Sequence, residues 1–339
     1  MKNFVLNGMK DCKILVVGDV MLDKYYFGEV TRISPEAPVP INKVLEVRET
    51  LGGAANVAHN LALLGCKTFL VSRIGKENHG EVLLRKINSR GIDSTGILQT
   101  DKPTTTKIRI ISGHQQMLRL DFEDTEDIFG DDEKNLLANI SARIKNISAV
   151  IISDYGKGIC TKKVCGEIIS MCRRENKIVV VDPKGDDWRK YSGVNFITPN
   201  LKEFNLVLDK KISNNDSEIE TSAEKIIAKF NLQGLVVTRS EKGLSVIDGE
   251  KISHIKAKAQ DVFDVSGAGD TCVAAFILSI TAGLTPAVAA RVAEYDAVCG
   301  VVAAHPQRGS AGKASRVPGC PVGENVVPYP PAEPVAALA

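Results

Sequence analysis

Residues 149–182 read AVIISDYGKGICTKKVCGEIISMCRRENKIVVVD. The unbroken apolar run Ala149–Ser153 predicts a strand buried on both faces, since a half-exposed strand would alternate. A helix is expected over Lys162–Arg174, and a second strand over Ile178–Val181, ending at Asp182. Two apolar strands joined through a helix lie parallel in one sheet. Working outward, the same grammar repeats. Lys13–Val17 is an apolar run ending at Gly18-Asp19. Ala54, Val57, Ala58, Leu61 and Leu64 form one helix face, stopped by Gly65. A strand at Thr68–Ser72, a helix at Asn78–Ser89, a short strand at Phe196-Ile197, a helix at Ser222–Phe230 and a strand at Leu235–Thr238 follow. The pairs Gly243–Ile247 and Lys251–Ile255 read as a hairpin, and Ala268–Ala282 as a strongly apolar helix. The expected class is α/β, a mostly parallel central sheet with helices on both faces. Ligands of such sheets sit at the carboxyl ends of the strands, so Asp19, Asp154, Asp182 and Asn200 should share one rim.

Other β pieces do not fit the alternation. Lys24–Phe27 and Ile41–Val47 flank the turn-rich SPEAPVP of residues 34–40, whose prolines forbid a helix. Thr104–Ile111 and Gln116–Phe122 form a hairpin around Gly113-His114. These pieces, from about 20–50 and 100–122, are expected to make a small separate sheet, a lid over the main domain. Composition shifts near residue 284: residues 284–339 hold eight of the 14 prolines, no isoleucine and a single lysine, Lys313. A helix over Ala287–Val302 with a following strand closes the main domain at about residue 305, and 306–339 is expected to be a poorly ordered tail.

The 339 residues suit one large domain with an appendage, and 44% hydrophobic with 25% charged residues is ordinary for a globular chain. A net charge of +2 asks for neither nucleic acid nor an anionic membrane. No apolar run approaches the roughly 18 residues of a membrane span, and the first twelve residues lack a signal-peptide core, so a cytoplasmic protein is expected. None of the eight cysteines forms a C-x-x-C pair, and most lie in apolar runs, as small buried hydrophobes do. The five histidines show no triad or metal spacing.

The densest chemistry lies in Asp264-Val265-Ser266-Gly267-Ala268-Gly269-Asp270-Thr271. Gly267 and Gly269 let backbone approach a ligand closely. The helix opening there aims unpaired N–H groups and its positive dipole end at one spot, an anion hole suited to a transferring phosphoryl group. Asp270, in the first turn, can accept a proton from a substrate hydroxyl. Taken alone, the segment is a weak signal and reads more readily as a capped helix start. No Walker A sequence occurs, and Cys272 stands where a dinucleotide fingerprint needs its third glycine.

Four ordered motifs together resemble the ribokinase-like (PfkB) carbohydrate kinases. Asp264–Asp270 is similar to the family's D-T-x-G-A-G-D. Gly52-Gly53 with Asn56 resembles its N-terminal Gly-Gly signature, and Asn200-Leu201-Lys202-Glu203 its N-x-x-E. Thr238–Gly243 resembles its T-x-G-x-x-G loop, with Ser240 in place of the first glycine. The resemblance implies the ribokinase-like three-layer fold with a β lid and ATP with Mg²⁺ as cofactors. It also implies Asp270 as base, the N–H groups of Gly267, Ala268 and Gly269 as anion hole, and Glu203 and Asn200 holding Mg²⁺ through waters. Asp264, Thr238, Ser240 and Gly243 would lie on the nucleotide side. Asp19, Asp23, Gly52, Gly53, Asn56 and Asp154 would face the sugar. Gly18–Asp23, Arg32–Pro40, Leu51–Ala58, Arg119–Asp121 and Ser153–Gly158 further resemble the subgroup that phosphorylates D-glycero-D-manno-heptose 7-phosphate at O1. A 7-phosphate needs cations, for which Arg109, Arg119, Lys157 and Lys184 are candidates. The alternatives are another phosphosugar kinase of this fold, or a catalytically silent sugar-phosphate binder. By analogy, a lid can pair with a neighbour's lid in a homodimer. The likeness covers roughly residues 10–303. It departs where Asp296 replaces a usual Asn of the adenine wall and where Ala303-Ala304-His305-Pro306 replaces a glycine-containing turn.

Overall fold

The first strand, β1 (Lys13–Gly18), sets the layering. Ile14 and Val16 pack into one hydrophobic core and Leu15 and Val17 into another, all four fully buried. A strand apolar on both faces must be sandwiched. The computed structural model describes residue 9 and residues 11–249, 251–257 and 267–304, with side chains to 295. Among these, β1 pairs in parallel with β4 (Lys67–Gly75) on one side and β8 (Ala149–Ser153) on the other. Outward from β4 lies β5 (Asp93–Thr100), and outward from β8 lie β9 (Ile178–Asp182), β10 (Phe196–Ile197) and β11 (Gly234–Thr238), all parallel. β12 (Leu244–Asp248) and β13 (Lys251–Ile255) complete that edge as antiparallel strands.

Helices cover both faces. On one side are α1 (Ala54–Leu63), α2 (Asn78–Ser89), α7 (Ala268–Thr281) and α8 (Pro286–Ala304), whose buried residues join Ile14 and Val16. On the other are α3 (Gly130–Ile144), α4 (Lys162–Arg174), α5 (Leu201–Leu206) and α6 (Asp216–Phe230). α7 is apolar nearly all round, and Cys272 to Ser279 are all buried beneath α1 and α8. Three elements go beyond the sequence reading, namely the helices α3 and α5 and the edge strand β5. The expected strand after residue 302, the 306–339 tail and Asp264–Ser266 lie outside the described residues.

The second, four-stranded sheet runs in the order β3-β2-β6-β7, with β2 Val20–Ile33, β3 Pro40–Gly53, β6 Thr106–Ser112 and β7 Gln115–Phe122. β2 and β3 are far longer than the short pieces expected, because the two segments zip together from Val20↔Gly53 to Ile33↔Pro40 across two register shifts. Gly53 then turns the chain into α1 at φ 57. A Cβ there would stand 2.3 Å from the Asp19 carbonyl, so only glycine fits. Among the described residues no helix is long and apolar enough to cross a membrane.

Candidate active site

The strand ends β1, β8 and β9 are stitched at their carboxyl rim, where Asp19 N–H donates to the Ser153 carbonyl (3.2 Å) and Asp154 N–H to that of Asp182 (3.1 Å). Asp19 was expected to face the sugar. Its buried carboxylate instead accepts three backbone N–H groups, from Tyr155 (2.8 Å), Lys157 (3.0 Å) and Ile159 (3.1 Å). Asp154 is similarly engaged, with Gly156 N–H (2.7 Å), Lys190 Nζ (2.5 Å) and the Tyr191 hydroxyl (2.6 Å). These two carboxylates shape the 154–159 loop from beneath. Asp19, Asp154 and Cys160 bring ligand atoms within 4.8 Å of one another. Both carboxylates are spoken for by N–H and O–H donors, and a hydrogen bond from the Cys160 thiol to Cys165, with burial, pushes that thiol well up. That set is a hydrogen-bonded anchor.

Asp270 stands in the first turn of α7, behind Gly267, whose φ of 83 caps the helix in a left-handed conformation. Its carboxylate is clasped from two other parts of the chain: Asn56 Nδ2 donates to Oδ2 and the Tyr155 hydroxyl to Oδ1, each at 2.6 Å. Burial lifts the carboxyl from 3.8 to about 6; the two hydrogen bonds restrain the rise and the nearby Asp23 carboxylate adds to it. Helix geometry leaves the N–H groups of Ala268, Gly269 and Asp270 without intrahelical acceptors. A Cβ on Gly269 would meet no atom within 4 Å, so the front of this turn is open. A buried carboxylate that titrates near neutrality thus borders an open, N–H-lined helix start. Tyr155 was not singled out in the sequence, and only the fold brings its hydroxyl to Asp270.

Asn200 and Glu203 form a reciprocal capping box on α5. Asn200 Oδ1 accepts from Glu203 N–H (3.0 Å) and Glu203 Oε2 from Asn200 N–H (3.1 Å), with Lys184 Nζ 3.4 Å from Glu203 Oε1. Asn200 therefore holds Glu203 in place and turns its own oxygen to that task. Asp182, seen in the sequence only as a rim residue, belongs beside them. Burial, with repulsion from Asp270 and Glu203, drives its carboxyl well above the ordinary range. Asp182 and Glu203 are hard oxygen donors on one rim, suited to a divalent cation such as Mg²⁺ held partly through water.

The small sheet supplies the opposite wall. Asp23 Oδ1 takes a 2.6 Å hydrogen bond from Arg109, which lies over the Tyr25 ring. A Cβ on Gly52 would come within 2.4 Å of Asp23 Oδ2, so the bare backbone there makes room for that carboxylate. Arg119 is turned to Asp121 as a bidentate pair (2.9 Å each), half-exposed on the edge strand. Lys157 Nζ pairs with Glu123 (2.8 Å). Of the candidate cations, Arg109 is the one in contact with Asp23.

On the far side of Asn200, a parallel bridge joins it to Thr238. The turn that follows places Ser240 at φ 53 and Gly243 at φ 80. Asp264 and the Asp296 side chain lie outside the described residues.

Residues 11–308 match the pfkB family carbohydrate kinase pattern. The chain belongs to the pfkB family of carbohydrate kinases. It is 44% identical over 275 residues to the bifunctional protein HldE of Haemophilus influenzae (strain PittEE), which covers 81% of this chain and 56% of that protein. Against the bifunctional protein HldE of Photobacterium profundum the figures are 41% over 292 residues, 86% and 60%. The chain thus spans little more than half the length of these relatives. Its fold is that of a solved Arabidopsis thaliana ribokinase complexed with ribose and ATP, with TM-score 0.66, 19% identity, and 84% and 91% of the two chains covered. It likewise matches a tetrameric inhibited form of phosphofructokinase-2 from Escherichia coli, with TM-score 0.71, 16% identity, and 86% and 94% covered. Family membership makes the protein a sugar kinase with the ribokinase-like fold expected from its sequence.

Proposed function

We propose that this kinase transfers the γ-phosphoryl group of ATP, as its Mg²⁺ complex, to O1 of D-glycero-D-manno-heptose 7-phosphate, giving the 1,7-bisphosphate. The observation that carries the chemistry is Asp270, a buried carboxylate lifted to about 6, clasped by Asn56 and Tyr155 at the mouth of α7. Asp270 accepts the hydroxyl proton as the oxygen attacks phosphorus in line. Asn56 and Tyr155 aim its two oxygens, and the N–H groups of Gly267, Ala268 and Gly269 receive charge developing on the phosphoryl oxygens. One such donor is worth on the order of 3 kcal/mol of barrier, about a hundredfold in rate. Glu203, positioned by Asn200, and Asp182 would hold Mg²⁺, which when bound neutralises phosphate charge. Thr238, Ser240 and Gly243 would border the nucleotide. Asp23, Gly52, Gly53 and Asn56 would face the sugar, while Asp19 and Asp154 act one step back by shaping the 154–159 loop.

The choice of heptose 7-phosphate rests on the subgroup motifs and on the high identity to the HldE proteins. Of the four candidate cations, Arg109, Arg119 and Lys157 lie on and beside the small sheet and would serve the 7-phosphate, whereas Lys184 lies beside Glu203. A panel of heptose 7-phosphate, fructose phosphates, ribose and adenosine with ATP–Mg tests it. Preference for an unphosphorylated acceptor would overturn the heptose assignment and leave the kinase. We further infer a dimer through the small sheet, since Leu118, Leu120 and Phe122 expose one apolar stripe along β7 (40–50% exposed).

A further inference from the structure

Arg239, in the turn between β11 and β12, is only 1% exposed. Its Nε donates to Asn214 Oδ1 (2.8 Å). Its NH1 reaches Asp216 Oδ1 (2.6 Å) and Ser245 Oγ (2.9 Å) and lies 3.3 Å from His254 Nδ1, and its NH2 reaches the Asn214 carbonyl (3.4 Å). His254 in turn contacts Ser245 Oγ (2.8 Å) and Glu220 Oε1 (2.7 Å). One proton arrangement satisfies the chain: His254 Nε2–H donates to Glu220, the Ser245 hydroxyl donates to Nδ1, and Ser245 Oγ accepts from Arg239. The main chain of Arg239 is fixed as well, its N–H donating to the Gly243 carbonyl (2.7 Å) and its carbonyl accepting from Asn214 Nδ2 (3.2 Å). Lys242 Nζ also donates to the Asn214 carbonyl. The turn 239–243 is thereby tied to the segment leading into α6, to α6 itself, to β12 and to β13.

A buried guanidinium is costly unless most of its N–H groups are matched, and apolar side chains often stabilise as well. Its presence calls for a reason in the turn that it shapes. The next residue, Ser240, occupies the left-handed region at φ 53, a conformation that non-glycine residues keep only when their surroundings impose it. At the other end, a Cβ on Gly243 would stand 2.1 Å from the Ile255 carbonyl. The turn is thus braced at both ends, with its one strained serine between.

We propose that Arg239 is a positioning residue for the nucleotide. Its polar network imposes the left-handed conformation on Ser240 and so holds the 238–243 turn in the shape that receives ATP. Arg239 touches no substrate. This inference rests on the reading of that turn as the nucleotide side of the site.

The test compares Arg239→Lys and the milder Asn214→Ala, each with and without Ser240→Gly. The readouts are kcat, KM for ATP and for the sugar, and ATP binding by calorimetry without sugar. The expected result is a rise in KM and Kd for ATP of about tenfold, the equivalent of one unsupported left-handed residue. The sugar KM and kcat should stay within about twofold. Ser240→Gly should restore ATP affinity in the same backgrounds, because glycine adopts that conformation without help. A purely structural Arg239 would lower Tm, leave the ATP parameters in place and show no rescue. Equal rises in both KM values, unchanged ATP affinity or failure of rescue would overturn the inference. If Arg239→Lys does not fold, the Asn214→Ala pair decides. Absence of ATP binding by the unmodified protein would sink the nucleotide reading itself, whereas normal ATP binding by all variants would sink this inference alone.

Discussion

Asp270 answers two opposed demands. As a base it must be ionised, yet its burial favours the protonated form. Because its folded value, about 6, lies above the unfolded 3.8, the protonated carboxyl stabilises the fold below pH 4 and that contribution is lost as pH rises to about 6. Above pH 6 the ionised residue costs roughly 3 kcal/mol. Turnover has the reverse dependence, and kcat/KM should fall about tenfold per pH unit below about 6. A profile flat down to pH 5 would remove Asp270 from the role of base. Asp270→Asn should lose several orders of magnitude in kcat while still binding sugar. At pH 8 it should also melt several degrees higher, since the Tyr155 hydroxyl can turn to accept from the new amide. Turnover close to that of the parent protein would contradict the assignment. Asp270 was legible in the sequence because Gly52-Gly53 with Asn56, Asn200 with Glu203, and Thr238–Gly243 accompany its glycine-rich helix start, which alone could be a mere cap. Tyr155 was not, and Arg109 was legible as a cation but not as the partner of Asp23, since both contacts join segments more than 80 residues apart.

The short helix α5 shows how a local motif can carry a role through geometry. The spacing of Asn200 and Glu203 is that of a capping box, and the structure forms it on both sides. Asn200→Ala should cost about 1 kcal/mol of stability. By releasing Glu203, it should also raise the Mg²⁺ concentration needed for half-maximal activity severalfold. Unchanged Mg²⁺ dependence would reduce the motif to a cap. Among the other elements, strands buried on both faces and the apolar α7 were readable from unbroken runs. α3 opens on Gly130-Asp131-Asp132-Glu133, and its inward face is confined to Glu133, Leu136, Ile140 and Ile144, a sparse stripe in a polar segment. β5 is an edge strand, half-polar and interrupted by Gly96, whose identity comes from its pairing with β4. The lengths of β2 and β3 came from their mutual pairing, which single-strand patterns do not encode.

All the chemistry assembles on one rim because a parallel sheet ends its strands together, and the small sheet faces that rim. Its outer edge, β7, is exposed along its full length. If its apolar stripe seats a second copy, Leu118→Lys with Leu120→Glu should convert a dimer to a monomer in sedimentation without unfolding it. A monomer before substitution would remove the dimer. The layered fold was readable from strand–helix alternation, whereas the meeting of the two sheets depends on Asp19, Gly53 and Tyr155 acting in three dimensions.

The interior position of β1, between β8 and β4, also bears on how the chain is born. Its neighbour β8 lies 135 residues downstream. At ribosomal speeds of about 5–20 residues per second, an apolar strand made near the start waits on the order of ten seconds for one of its two partners. During that interval one edge of β1 stays open to unrelated strands, so the yield of correctly folded enzyme should depend on chaperones and temperature well before it depends on any residue of the rim.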